Sequence, residues 1–144
     1  MDADIIEPEP RLLLLVTRAP NDPPLFSEEY QKTLHDLFAS LKTQGLEVSS
    51  TFATRDAVGA AGGFSGEFVV AVTAFGIAVN QVRKLIETFL EGRDGRKLKV
   101  QIGSFRLEGS ARDVEKMFGL LLSSEQFQKL LISETAKKKA RRSA

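Results

Sequence analysis

The sequence predicts one mixed α/β (α+β) domain. Its sheet holds about four strands, with elements in the order β-α-β-α-β-β-α-α. Three observations predict this. Short apolar or alternating stretches of strand length stand at 11–17, 46–52 and 98–107. Apolar residues recur at helical spacing over 30–41, 82–90 and 114–121. Proline and glycine clusters separate these segments, as turn chemistry requires.

The first element is Arg11-Leu-Leu-Leu-Leu-Val-Thr17, an apolar run without alternation. Such a run predicts a central strand covered on both faces. Pro20-Asn-Asp-Pro-Pro24 stops it. Ser27 then stands as an N-cap, with Glu28 and Glu29 in the favourable first turn. Tyr30, Leu34, Leu37, Phe38 and Leu41 share one face of the helix that follows, and Gly45 fits its left-handed end. Leu46, Val48, Ser50 and Phe52 alternate with Glu47, Ser49 and Thr51, the pattern of a strand. Strand, helix and strand in this order predict a right-handed βαβ crossover.

The longest element is read as a helix over about Glu67–Glu91. Its first half, Phe68 to Phe75, is apolar all round, and its second half narrows to Val82, Leu85, Ile86, Phe89 and Leu90. The β-branched residues of 68–72 leave a second reading open, in which that stretch is a strand and the helix begins near Phe75. Gly92-Arg-Asp-Gly95 is a turn signal. Leu98, Val100 and Ile102 form a half-exposed strand, turned by Gly103-Ser104 into a return strand with Phe105 and Leu107. Ser110 and Asp113 form a capping-box variant ahead of a helix with Val114, Met117, Phe118 and Leu121 inside. Ser123-Ser124 breaks that helix, and Phe127, Leu130 and Leu131 belong to a last short one.

The flanks read differently from the body. Residues 1–10 form an acidic, proline-containing leader expected to be disordered, 11–134 the domain, and 135–144 a disordered basic tail. From Lys129 onward there are six basic residues against one acidic, leaving 14 basic and 18 acidic before it. The body is therefore net −4 and the tail +5. An acidic body argues against a nucleic-acid footprint spread over the fold. Lys137, Lys138, Lys139, Arg141 and Arg142 are the candidates for contact with phosphate or anionic lipid. No aromatic residue interleaves them to stack bases.

Composition removes several chemistries. With no Cys, disulfides, thiolate metal sites and cysteine nucleophiles are excluded, and a single His excludes a His-pair metal site. No cofactor and no metal are expected. The longest charge-free run, Phe68 to Val82, has 15 residues. As a helix it would span about 22 Å, short of the ~30 Å hydrocarbon core. With no Cys and no secretory signal, a cytoplasmic location is expected.

No catalytic constellation emerges. The loop Gly59-Ala-Ala-Gly62-Gly63-Phe-Ser-Gly66 resembles a phosphate cradle in composition, but no Lys-Ser or Lys-Thr follows it and position 61 is Ala. His35 lies off the apolar face of its helix beside Asp36. The carboxylates are scattered without metal-ligand spacing. Binding is thus expected rather than chemistry. The partner-contacting residues expected on the glycine loop and the long helix are Gly62, Gly63, Phe64, Phe68, Phe75 and Phe89.

From about Arg55 onward the chain resembles the effector-associated constant component family of bacterial conflict systems. The resembling pieces are Gly59-Ala-Ala-Gly62-Gly63 before a long apolar helix, the Leu85–Leu90 segment, the basic hairpin Lys97–Glu108 and the helix start Asp113-Val-Glu-Lys-Met117. Phe89 stands where that family tends to carry Trp. The resemblance implies a small non-catalytic adaptor that couples an effector, such as a protease, to another protein in antiviral defence. A homo-oligomer is compatible with it. The rival expectation is an electrostatic nucleic-acid or membrane-surface binder acting through the tail.

Overall fold

The structure is a computed structural model, and it describes residues 11–53 and 63–132. Residues 1–10, 54–62 with Gly59 and Gly62, and 133–144 lie outside the described residues, and with them the expected leader and the expected tail 135–144.

The chain runs β1 (Arg11–Thr17), α1 (Glu28–Thr43), β2 (Val48–Ala53), β3 (Gly63–Ala71), α2 (Val72–Glu91), β4 (Lys97–Ile102) and β5 (Phe105–Gly109). A 3₁₀ turn (Ala111–Asp113), α3 (Val114–Ser123) and a helix over 125–132 (α4) follow. The sheet has five strands in the order β2-β3-β1-β4-β5, and every neighbouring pair is antiparallel.

Two expectations are corrected here. The sheet has five strands rather than about four, because Gly63–Ala71 is a strand and the long helix begins only at Val72. Phe68 and Val70 are buried while Glu67, Val69 and Ala71 are half-buried, the period of two that a strand demands. The apolar side chains Val69 and Ala71 on the second face hide that period in the sequence. Secondly, β1-α1-β2 is not a simple crossover unit. β3 pairs with both β1 and β2 and separates them. The result is the split βαβ pattern of ferredoxin-like sheets, extended by β5; the pattern carries no function with it.

β1 is central, as its apolar run predicts, but among the described residues helices cover only one of its faces. Leu12, Leu14 and Val16 are buried, while Leu13 and Leu15 are half-buried on the other side. One hydrophobic core joins the covered face to the helices. It holds Leu12, Leu14, Phe68, Val70, Leu98, Val100 and Ile102 from the sheet. Tyr30, Leu34, Leu37 and Leu41 of α1, Phe75, Val82, Ile86 and Phe89 of α2, Phe118 and Leu121 of α3 and Phe127 of α4 complete it.

Local chemistry sets the boundaries as read. Ser27 Oγ accepts from Tyr30 N at 3.2 Å and caps α1. Gly103 takes φ +57° in the two-residue turn that pairs Ile102 with Phe105. Asp113 Oδ2 accepts from both Ser110 N (2.9 Å) and Ser110 Oγ (3.1 Å), completing the capping box. Ser124 Oγ accepts from Phe127 N at 3.1 Å where the chain restarts as α4.

Candidate functional site

The expected partner-contacting residues fall into three places. Phe68 and Phe75 are fully buried and Phe89 is 7% exposed, so all three are corrected from surface to core. Phe68 stacks on Phe38 with centroids 6.0 Å apart. Phe75 packs between Phe118 (5.3 Å) and Phe127 (5.9 Å). The helix-layer core needs these rings because α2 must cover the sheet and support α3 and α4 together. Phe89 reaches the surface only as part of a shallow cleft of about 200 Å³ between α1 and α2, shared with Thr33, Asp36, Leu37, Ser40, Leu85 and Thr88.

Gly63 and Phe64 mark where the glycine loop rejoins the fold, and α1 grips that point. The Gln31 amide pairs with Phe64 as a strand would. Phe64 N donates to Oε1 at 2.7 Å, and Nε2 donates to Phe64 O at 3.0 Å and to Leu25 O at 2.7 Å. A Cβ on Gly63 would overlap the Gln31 amide, so a larger residue there displaces this grip. Phe64 also meets Phe38 (5.5 Å) and the edge of His35 (6.0 Å). Gly62 and the tail residues Lys137, Lys138, Lys139, Arg141 and Arg142 lie outside the described residues.

A buried charge cluster escaped the sequence reading. Asp22, in the proline-bounded loop after β1, has a fully inaccessible side chain. Its carboxylate accepts from Arg96 Nε at 3.0 Å and Nη2 at 2.9 Å, the two-pronged geometry that suits a guanidinium. Ala19 N donates to it at 2.7 Å, and Arg93 Nε lies 3.0 Å away. Burial pushes this carboxyl upward. The hydrogen bonds from Arg96 and Ala19 and the charges of Arg96 and Arg93 outweigh it and hold the carboxyl below the ordinary carboxylate range.

Arg96 also donates to Phe89 O at 2.7 Å at the end of α2 and lies 4.4 Å over the Phe89 ring. A cation there complements the helix dipole. The cluster therefore ties the β1–α1 loop, the α2 C-terminus and the start of β4. Tyr30 lies near it, fully buried, with no protein hydrogen bond to its hydroxyl. Burial first, and the charge of Asp22 second, push its phenol up to about 12.

The other carboxylates serve local structure. Glu67 Oε1 accepts from Thr51 Oγ1 at 2.8 Å, and Glu87 pairs with Arg83 at 3.0 Å. His35 is exposed, with Nδ1 4.0 Å from Asp36. Among the described residues no group of three or more His, Asp or Glu side chains is placed to hold a metal ion, and no helix is long and apolar enough to cross a membrane.

What the surface offers instead is apolar. Ile77 of α2 is 87% exposed and Ile132 of α4 is 67% exposed. Their neighbours in sequence touch. A methyl group placed on Gly76 would lie 3.4 Å from Leu131 Cδ1 and 4.0 Å from Phe127 Cζ. Each isoleucine thus stands one position along the chain from the α2–α4 contact, and Ile77 precedes the kink at Ala78 (φ −103°, ψ 18°). The chain matches no family model, no curated protein and no solved structure.

Proposed function

We propose that this chain is a non-catalytic interaction component that couples an effector protein to a partner through the outer rim of α2 and α4. One observation carries the reading: Ile77, a large aliphatic side chain, stands 87% exposed beside the α2–α4 contact, with Ile132 also outside it. Two large aliphatic side chains left in water, each one position along the chain from the same helix–helix contact, form a surface that a partner would cover. The engagement of Asp22, Glu67, Glu87 and Asp113 in the fold's own bonds supports binding rather than acid–base chemistry. The resemblance to effector-associated constant components supports a role in bacterial defence, with a protease-like effector as partner, in the cytoplasm.

The test is capture from the native host with the tagged full chain, an Ile77→Asp/Ile132→Asp variant and a chain ending at Thr135. A protein retained in stoichiometric amount by the first and third, and lost at least about tenfold with the second, is expected; tenfold corresponds to about 1.4 kcal/mol, modest for two interface anchors. Equal retention by the double variant removes the rim from the interaction. Recovery of nucleic acid or lipid with the full chain alone, and of no protein, moves the function to the basic tail.

A further inference from the structure

Among the described residues one face of the sheet carries no helix, and it has a definite pattern of side chains. Two rows cross it, fixed by the strand register. One row reads Glu67 on β3, Leu15 on β1, Lys99 on β4 and Glu108 on β5. Thr51 extends it beyond Glu67 through its hydrogen bond. The next row reads Ser49, Val69, Leu13, Gln101 and Arg106. Leu13, Leu15, Val69 and Ala71 are half-buried, while Ser49, Lys97, Lys99, Arg106 and Glu108 are exposed. The face is therefore apolar in the middle of β1 and at Val69 and Ala71 of β3, with Arg11 exposed at one end of β1. The inner charge is acidic on the β3 side and basic on the β4 side.

This pattern is self-complementary under one particular two-fold rotation. We propose that a second copy of this chain packs on this face, related by a two-fold axis running along β1. A rotation about that line exchanges the β3 side of one copy with the β4 side of the other. Leu13 and Leu15 then meet their own counterparts, Arg11 faces Arg11 only at the edge of the patch, and Glu67 of each copy faces Lys99 of the other, twice. An axis across the strands at the level of Leu15 would instead set Glu67 against Glu67 and Lys99 against Lys99. The two inner acid–base pairs favour the first arrangement over that one.

Distances permit it. Aligned sheets pack about 10 Å apart and cross at about 30°. One strand from the axis, at about 4.8 Å, that crossing displaces facing residues by roughly 2–3 Å, which long Lys and Glu side chains absorb. About six residues from each of four strands make a patch of about 20 Å by 19 Å, so the total buried area is on the order of 1,000 Å². That is the low end of specific interfaces, and it sets a weak, reversible dimer with a dissociation constant on the order of micromolar. The dimer turns both helix layers outward, so it presents two α2–α4 rims on opposite sides and can engage two copies of a partner at once.

Sedimentation velocity of the full chain, from about 1 to about 100 μM, spans the transition expected for micromolar association. The wild type goes reversibly from monomer to dimer. Lys99→Glu and Glu67→Lys each weaken self-association by at least about fivefold, because each loses both pairs and gains like-charge contacts. Mixed in equal amounts, the two variants associate with each other, since each pairing then has one acid and one base. Circular dichroism confirms that both variants are folded. A wild type that stays monomeric throughout, a dimer indifferent to both variants, or a mixture that remains monomeric overturns the proposal. None of these substitutions touches the α2–α4 rim, so the result is independent of the capture experiment.

Discussion

The two faces of the sheet are built from the same five strands and obey different rules. On the covered face every strand contributes an apolar residue, and Leu12, Leu14, Phe68, Val70, Leu98 and Val100 are all fully buried. On the open face the composition is graded. It is aliphatic at Leu13, Leu15 and Val69 and charged at Lys97, Lys99, Arg106 and Glu108. The difference is instructive because it lies within single strands. β4 alternates cleanly between Leu98, Val100, Ile102 and Lys97, Lys99, Gln101, the signature of one wet face. β1 is apolar on both faces although helices lie on only one. Aliphatic side chains in mid-sheet with no helix over them among the described residues are what motivate a second copy there.

The largest test of this contrast uses adjacent residues on β3. Phe68→Ala opens a cavity beneath Phe38 in the covered core and is expected to cost about 3–5 kcal/mol. Val69→Ala, one position along and on the open face, is expected to cost about 1 kcal/mol or less. Urea unfolding at micromolar concentration reads both. Similar losses at the two positions would mean that the open face is packed as a core is, and the distinction would fall.

The same contrast explains what the sequence makes legible. Where one face is wet, as in β4 and β5, the alternation and the Gly103-Ser104 turn were readable directly, and so were the caps at Ser27 and Ser110. Where both faces are apolar, periodicity disappears. Gly63–Ala71 therefore runs on into the helix after it, only the β-branched residues of 68–72 hint at the strand, and Phe68 and Phe75 look like surplus surface instead of core. No loop separates β3 from α2, and Ala71 makes no side-chain cap, so no local signal marks the change at Val72. Asp22 and Arg96 lie 74 residues apart. Asn21-Asp22-Pro23 announces a turn, but nothing local names an arginine from the β4 entry as its partner. The exposed Ile77 looks, in sequence, like one more apolar residue in an apolar stretch.

An intermediate effect belongs to that cluster, at the end of the covered layer. Asp22→Asn leaves Arg96 buried without its counter-charge and is expected to cost about 3 kcal/mol, the lower end for breaking a buried pair. It also changes the acid limb. A carboxyl held below its ordinary value of 3.8 contributes stability that is complete above that value and lost as pH falls through the lower folded value. Thermal midpoints of the wild type should therefore drop below pH 3.8 more steeply than those of Asp22→Asn. Equal acid limbs would show that the cluster adds no proton-linked stability.

The smallest effect at neutral pH, and the most selective probe of the covered side, comes from Tyr30. It is the chain's one tyrosine, and there is no tryptophan, so phenolate absorbance in the near ultraviolet reports this residue alone. Its folded value of about 12 lies above the ordinary 10.0. The protonated phenol thus contributes stability that is fully present below pH 10 and is lost as pH rises from 10 towards 12. The absorbance step should lie near 12 in the folded chain and near 10 in urea. Tyr30→Phe should leave stability at pH 7 within about 1 kcal/mol of wild type, because it removes a hydroxyl that has no protein partner, and should flatten this part of the alkaline limb. A folded chain that titrates near 10 would put Tyr30 in contact with water. The seam between α1 and the Asp22–Arg96 cluster would then be as wet as the open face, and burial would no longer separate the two sides of the molecule.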